Sequence, residues 1–74
     1  MIELNAPISQ DKMIELLDGV EKDGVTFTYK EKKGIKLYFD VNTEDVDGAA
    51  RIAKNTIKAE PWGSVLYFQA NGVK

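Results

Sequence analysis

Four lysines and a tyrosine lie close together between Lys30 and Tyr38. The lysines are Lys30, Lys32, Lys33 and Lys36, and they account for four of the ten basic side chains of the chain. Cationic side chains bind phosphates and exposed aromatic rings stack on bases, so this combination is typical of proteins that bind single-stranded nucleic acid. It is also typical of a charged hairpin that protects a sheet edge from pairing. Because the whole chain carries a net charge of −2, we favour the second interpretation.

The chain offers few residues for catalysis. It contains no histidine and no cysteine, so the commonest general base, the commonest transition-metal ligand and disulfides are all missing. Ser9 is better explained as a helix cap and Ser64 as the start of a strand. The acidic cluster of Glu44, Asp45 and Asp47 is the usual partner of a helix N-terminus, and no calcium-loop spacing accompanies it. We therefore expect a protein that is not an enzyme and that uses neither a cofactor nor a metal.

Length and composition indicate one folded domain over residues 1–74. Apolar residues make up 43% of the chain and charged residues 30%, which is ordinary for a globular protein and too apolar for a disordered one. No apolar run reaches the ~20 residues that span a bilayer, and the N-terminal stretch does not resemble a signal peptide. We therefore expect a cytoplasmic protein that does not bind a membrane.

The start of the chain predicts a strand followed by a short helix. MIELN alternates apolar and polar side chains, as a half-buried strand does. Ser9 is placed to cap the helix, and Ile8 is placed to pack on Met13 as a hydrophobic staple. Apolar side chains then recur at helical spacing as far as Val20, and Gly19 can end the helix in a left-handed conformation.

A β-hairpin is the clearest local prediction. The stretches VTFTYK and IKLYFDV both alternate apolar and polar residues, and EKKG joins them. Two such runs separated by a few polar residues and a glycine are typical of a hairpin. Gly34 is expected to occupy the left-handed position of a G1-type bulge.

A second helix is predicted after the hairpin. Asn42 or Thr43 can cap its N-terminus. Asp47 and Arg51 are spaced to form an ion pair along its surface, and Pro61 stops it. Its apolar stripe comprises Val46, Ala49, Ala50, Ala53 and Ile57.

The C-terminal stretch predicts a last strand. After Gly63, apolar and polar residues alternate from Val65 to Ala70. Trp62 is expected to fold back over the end of the core. Alternatively, Trp62 could line a small-molecule pocket with Glu60 nearby.

The resulting element order is β-α-β-β-α-β, which is the ferredoxin-like plan of an α+β fold. Right-handed crossovers place both helices on one face of a four-stranded antiparallel sheet. The first and third strands are then central, and the second and fourth strands are edges. Another small α+β arrangement with the same element order and different strand pairing is the main alternative.

This plan assigns the strand residues to two faces. The helix-facing side chains are expected to be Ile2, Leu4, Val25, Phe27, Tyr29, Ile35, Leu37, Phe39, Leu66 and Phe68. The open face is expected to carry Glu3, Asn5, Thr26, Thr28, Lys30, Lys36, Tyr38, Asp40, Val65, Tyr67 and Gln69. A one-residue slip of the first or last strand would exchange its side chains between the faces.

Part of the hairpin is similar to the RNA-recognition motif, which shares this element order. In KGIKLYF, Lys33 to Phe39, the basic-glycine pair matches the start of that family's third-strand motif. Ile35 and Leu37 then occupy the places of its aromatic residues, and Glu3 and Asn5 stand where a second stacking ring belongs. The sequence therefore identifies no family.

The open sheet face is the predicted binding surface. Tyr38, Tyr67 and Val65 make it half apolar, and tyrosine is enriched at protein interfaces. Lys36 is placed to orient a partner. We expect a non-catalytic protein-interaction module that binds a partner protein or a second copy of itself as a homodimer. The alternatives are a plain solvated face, a small-ligand sensor, and single-stranded nucleic-acid binding through Lys30, Lys32, Lys33, Lys36 and Tyr38.

Overall fold

The computed structural model describes residues 1–73 and contains five strands and three helices. In chain order they are β1 (Ile2–Asn5), α1 (Gln10–Leu17), β2 (Glu21–Lys22), β3 (Val25–Lys33), β4 (Lys36–Val41), α2 (Val46–Lys58), α3 (Pro61–Ser64) and β5 (Gln69–Gly72). None of these three helices, within residues 1–73, combines the length and the apolar character that a bilayer-crossing helix requires.

The strands form one antiparallel sheet in the order β2-β3-β4-β1-β5, and this sheet curls into a half-barrel. The prediction of a four-stranded ferredoxin-like sheet with two helices is therefore wrong. The chain makes an additional strand, β2, and an additional helix, α3, and its sheet is curled. Strand β4 is the middle strand, and β3, β4 and β1 each have a neighbouring strand on both sides.

The additional strand β2 depends on a tight turn at Asp23 and Gly24. Both residues have positive φ, 52° and 81°, which is the geometry of a type I′ hairpin turn, and Asp-Gly is a preferred sequence for it. Lys22 consequently pairs with Val25. Strand β2 is only two residues long, which is too short for the alternation of side chains to reveal it.

A β-bulge at Lys30 bends the main hairpin. Tyr29 pairs with Phe39 and Glu31 pairs with Tyr38, so Lys30 has no partner on β4. A bulge increases the local twist of a sheet, which accounts for part of the curling. Beyond the bulge, each β3 side chain lies on the face opposite to the one that simple alternation predicts. Lys32 therefore pairs with the buried Leu37 and lies on the helix side of the sheet instead of the open face.

The hairpin turn is tighter than expected. Lys33 pairs with Lys36, so the turn consists of Gly34 and Ile35 alone. Gly34 has a φ of 61°, as predicted for a left-handed position, but the turn has the glycine-first pattern of a type II′ turn and the predicted G1 bulge is wrong. Ile35 was expected in the core; in the turn it is 51% exposed.

The core lies between the sheet and the helices. All five apolar-stripe residues of α2 are buried, as predicted. Seven of the ten side chains expected to face the helices are also buried, namely Ile2, Leu4, Val25, Phe27, Leu37, Phe39 and Phe68. Tyr29 and Leu66 pack partly buried against this core. The edge of the Tyr29 ring points at Phe39, with ring centroids 5.6 Å apart.

The start of α1 does not use the predicted cap. Ser9 takes a left-handed conformation with φ of 60°, and its side chain makes no capping hydrogen bond. Ile8 is 61% exposed, so the predicted staple onto Met13 is wrong as well. The Gln10 side chain holds this end instead, because its Nε2 donates to the carbonyl oxygens of Ala6 at 2.8 Å and Gly34 at 3.0 Å.

Asp45 caps α2, and neither Asn42 nor Thr43 does so. Its Oδ1 accepts a hydrogen bond from the Gly48 amide at 3.1 Å. The Asn42 side chain instead ties the chain to the start of β3, accepting from the Thr26 amide at 2.9 Å.

We expect Asp45→Ala to lower the free energy of unfolding by about 1 kcal/mol, because it leaves an N-terminal amide of α2 without its acceptor. Urea denaturation followed by circular dichroism measures this. Glu44→Ala is the matched control, since Glu44 is exposed and its change is expected to cost less than about 0.5 kcal/mol. Equal losses in the two variants would contradict the capping role.

The last strand begins later than the sequence predicts. Residues 61–64 form α3, with Pro61 in the first turn, and only Gln69–Gly72 pairs with β1. Ser64 is therefore the last residue of a helix, where its Oγ donates to the carbonyl oxygen of Pro61 at 3.0 Å. Strand β1 offers just four residues for pairing, so residues 65–68 have no strand to pair with.

Candidate functional site

The open sheet face is more polar than predicted. Tyr38 is half-buried and lies between Glu31 on β3 and Glu3 on β1, its cross-strand neighbours. Lys36 lies between Lys33 and Asn5 in the next row. The middle of this face therefore presents one tyrosine flanked by two carboxylates, which is a weak basis for an apolar interface.

Two of the predicted partner-binding residues lie outside the sheet. Val65 and Tyr67 belong to the segment between α3 and β5, and they are 83% and 85% exposed. Tyr67 sits between two anchored neighbours. Phe68 is buried in the core, and the carbonyl oxygen of Leu66 accepts a hydrogen bond from the Lys58 ammonium group. The Tyr67 ring is therefore held at the surface by fixed flanking residues, and it does not share a strand face with Tyr38.

Tyr67 is one wall of an open cleft at the hairpin-turn end of the sheet. The cleft has a volume of about 440 Å³. Its lining residues are Asn5, Pro7, Ile35, Tyr67, Phe68 and Gln69. We call this the turn-end cleft.

The walls of the turn-end cleft are fixed by backbone contacts. The Ala6 amide donates to the carbonyl oxygen of Ile35 at 2.8 Å, which holds the hairpin turn against the chain that follows β1. Asn5 pairs with Gln69, which aligns β5 with the same end of the sheet. Ile35 and Tyr67, which are distant in sequence, are thereby placed around one apolar depression.

The sequence predicts Tyr67 as a binding residue but not the cleft, because the alternation of the hairpin places Ile35 in the core. The sequence of the turn does contain a signal that Ile35 lies outside the strand. A two-residue turn beginning at Gly34 takes Ile35 out of the strand, and glycine in the first position is typical of that turn.

The structure does not bring the four lysines onto one free surface. Lys30 lies 3.9 Å from Asp40, and Lys33 lies 3.7 Å from Glu31. Lys32 is turned to the helix side of the sheet, where it lines a groove with residues 7–12. Lys36 makes no ion pair with any residue in the range 1–73. These pairs are exposed and weak, but each sets a carboxylate beside a cation that a phosphate would otherwise approach.

The sequence also offers the acidic residues near the start of α2 for metal binding and Trp62 for ligand binding. Across residues 1–73, no group of three or more acidic side chains gathers closely enough to hold a metal ion, although Glu44, Asp45 and Asp47 are adjacent in sequence. Trp62 packs partly buried against the core, as predicted, and the Lys12 ammonium group lies 5.7 Å from its ring centroid.

Comparison of this chain with protein-family models, with curated proteins and with solved structures returns no match.

Proposed function

We propose that this chain is a non-catalytic protein-interaction module whose binding surface is the turn-end cleft. The observation that carries the proposal is the exposure of Tyr67 and Ile35 on the rim of one apolar depression. Large apolar side chains gathered at a surface are typical of interaction sites, whereas singly scattered ones are ordinary.

The shape of the cleft favours a protein over a small molecule. A small-molecule site encloses most of its ligand, but Tyr67 and Ile35 project into solvent and enclose little. Exposed aromatic and aliphatic side chains are typical interface hot spots. The depression beside them can accept an anchor side chain from the partner. Pro7 adds a further apolar surface to the same depression.

The positive charge of Lys36 near the cleft favours a partner with an acidic residue at the interface. Lys36 follows Ile35 directly, is exposed, and has no carboxylate partner within residues 1–73. An exposed cation on the rim of an interface orients a partner of opposite charge. We therefore expect an apolar anchor residue with an acidic residue close to it on the partner.

Nucleic-acid binding through Lys30, Lys32, Lys33, Lys36 and Tyr38 has less support. Two of those lysines lie beside carboxylates, and a third lies on the helix side of the sheet. Tyr38 is half-buried and flanked by glutamates, which repel the phosphates that accompany a stacked base.

Site-specific photocrosslinking tests the proposal without knowledge of the partner. p-Benzoylphenylalanine at position 67 is expected to capture one dominant protein in cells that make this chain. The same group at position 28 is the control, because Thr28 is exposed on the open sheet face. Equal crosslinking patterns from the two positions would contradict the cleft as the binding surface.

Truncation of the rim gives a second, quantitative prediction. We expect Tyr67→Ala and Ile35→Ser each to weaken binding of the captured partner at least about tenfold, as hot-spot truncations do. Neither change is expected to alter the free energy of unfolding by more than about 0.5 kcal/mol, because both side chains are exposed. Isothermal titration and urea denaturation measure the two quantities.

Mixed-sequence single-stranded oligonucleotides provide the opposing measurement. Fluorescence anisotropy is expected to show no binding that depends on the lysines at low or near-physiological salt. Binding that weakens steeply with salt and is lost on charge reversal of Lys36 would instead support nucleic-acid binding.

A further inference from the structure

The outer edge of β5 exposes backbone hydrogen-bonding groups. The Val73 amide donates to the carbonyl oxygen of Met1 at 2.8 Å. Along an antiparallel pair, residues alternate between facing the partner strand and facing away from it. The register of β5 on β1 therefore turns the amide and carbonyl groups of Ala70 and Gly72 away from the sheet.

The opposite edge of the sheet is protected. Strand β2 covers the start of β3, and Phe27 exchanges hydrogen bonds with Gly19 and Val20. The Tyr29 amide donates to Oδ1 of Asp18 at 3.0 Å. Beyond that point lie the bulge and the lysines of β3. Short strands, bulges and charged residues are the usual means of preventing edge pairing.

Strand β5 is short, but it has none of the other protections. Its sequence, QANG, contains no charged residue and no proline, and its pairing with β1 continues without a bulge. Within residues 1–73 no strand pairs with its outer side. The edge of β5 is therefore available for a further strand.

A groove runs between this edge and α2. Its volume is about 430 Å³, and it is lined by Asp47, Ala50, Arg51, Lys54, Ala70, Asn71 and Gly72. The four helical residues are spaced so that they share one face of α2. The small residues on both sides leave room for a backbone to approach β5.

The helix and the strand run in opposite directions along this groove. The start of α2 lies at Gly72, where an added Cβ would be 2.7 Å from Oδ1 of Asp47. The end of α2 lies near Phe68, where the Lys58 ammonium group is 5.2 Å from the ring centroid. The groove therefore has an acidic end at Asp47 and a basic end formed by Arg51 and Lys54.

The charged side chains of this groove form no ion pairs within residues 1–73. The predicted ion pair between Asp47 and Arg51 is wrong: no ion pair in residues 1–73 involves Asp47, Arg51 or Lys54. A groove that is acidic at one end and basic at the other is complementary to itself when two copies meet antiparallel about a two-fold axis.

We propose that a second copy of this chain occupies the edge, with the two β5 strands paired antiparallel about a two-fold axis at Asn71. Ala70 of one copy then pairs with Gly72 of the other, and all the outward-facing amide and carbonyl groups of both residues are satisfied. Asp47 and Arg51 are four residues apart on α2, about 6 Å along the helix, which matches two strand residues of about 6.6 Å. The same pairing therefore places Asp47 of each copy opposite Arg51 of the other.

The small size of the chain supports a second copy as the occupant of this edge. A chain of 74 residues buries only about 60% of its unfolded surface and gains stability from a symmetric partner. The dimer also removes the unprotected edge by joining two sheets into one. The inference does not rest on the turn-end cleft, because Ile35 and Tyr67 do not line this groove.

Charge exchange tests the geometry. Sedimentation equilibrium is expected to show a reversible dimer whose dissociation constant rises about tenfold or more in Asp47→Lys and in Arg51→Glu, since each places like charges together. The double variant Asp47→Lys/Arg51→Glu has the charge of the original chain and is expected to restore dimerisation. Asp11→Lys is the matched control, because Asp11 is an exposed acidic residue in the first turn of α1.

Amide hydrogen exchange tests the backbone pairing. The Ala70 and Gly72 amides are expected to become protected as protein concentration rises, whereas the Asn71 amide, which bonds to β1, is protected throughout. A monomer at all concentrations up to about 1 mM would overturn the proposal. So would a dimer in which exchange at Ala70 and Gly72 does not depend on concentration, or one that the double variant does not restore.

Discussion

Replacing Phe39 by alanine is expected to remove a large part of the free energy of unfolding, about 3–5 kcal/mol. Phe39 is fully buried on the central strand β4, and the Tyr29 ring packs edge-on against it. Truncating a buried phenylalanine costs about 3–5 kcal/mol, because apolar contacts are lost and a cavity remains. A domain of this length has a total stability of roughly 4–11 kcal/mol, so this one change removes a large part of it.

Tyr38→Ala is the matched control for this measurement. Tyr38 is the preceding residue on the same strand, it is also aromatic, and it lies half-buried on the other face. We expect it to cost well under half as much as Phe39→Ala in urea denaturation followed by circular dichroism. Equal costs would contradict the assignment of Phe39 to the core and of Tyr38 to the open face.

Replacing Gly63 by alanine is expected to have the second largest effect. Gly63 is buried where α3 meets the end of α2. A Cβ there would collide with the carbonyl oxygen of Ile57 and lie 2.8 Å from its carbonyl carbon. These are backbone atoms of a helix, so they cannot move aside as a flexible side chain can. We expect a loss of about 3 kcal/mol, at the upper end of the usual cost of overpacking.

Gly34→Ala separates this steric effect from the general effect of replacing glycine. Gly34 has positive φ, but no atom lies within 4 Å of an added Cβ, so its replacement is expected to cost about 1–2 kcal/mol from backbone conformation alone. Urea denaturation followed by Trp62 fluorescence reports both changes. A Gly63→Ala variant as stable as the original chain would mean that α3 does not lie this close to α2.

The turn-end cleft and the edge of β5 can be tested independently. The cleft variants Ile35→Ser and Tyr67→Ala leave Asp47, Arg51 and the β5 edge unchanged. The charge exchange at Asp47 and Arg51 leaves the walls of the cleft unchanged. Partner binding that survives the cleft variants would therefore contradict the turn-end cleft alone. Dimerisation that survives the single charge variants would contradict the β5 edge alone.

Part of the candidate site was visible in the sequence. The sequence predicts Tyr67 and Val65 as binding residues on the open sheet face; both are exposed, but they lie outside the sheet, and of the two Tyr67 alone lines the cleft. Their setting was not foreseen, because side-chain alternation from Val65 to Ala70 is equally compatible with an extended segment that pairs with nothing. Strand β1 ends at Asn5, and this limit on available pairing partners determined that only Gln69–Gly72 joins the sheet.

By itself, the sequence determined the features that depend on neighbouring residues. The buried stripe of α2 follows from apolar residues at helical spacing, and the main hairpin follows from two alternating runs around a glycine. Both signals are local. The helix signal arises from residues three or four positions apart, and the hairpin signal arises from two strands that follow each other directly in sequence.

The tertiary structure decided the features that depend on distant residues. The bulge at Lys30 reversed the faces of Glu31 and Lys32, and the two-residue turn moved Ile35 from the core to the cleft. The short β1 set the start of β5, and the extra strand and helix replaced the predicted ferredoxin-like plan with a curled sheet. Alternation in a single strand cannot determine these outcomes, because a shift of one residue in pairing changes every contact without changing the pattern.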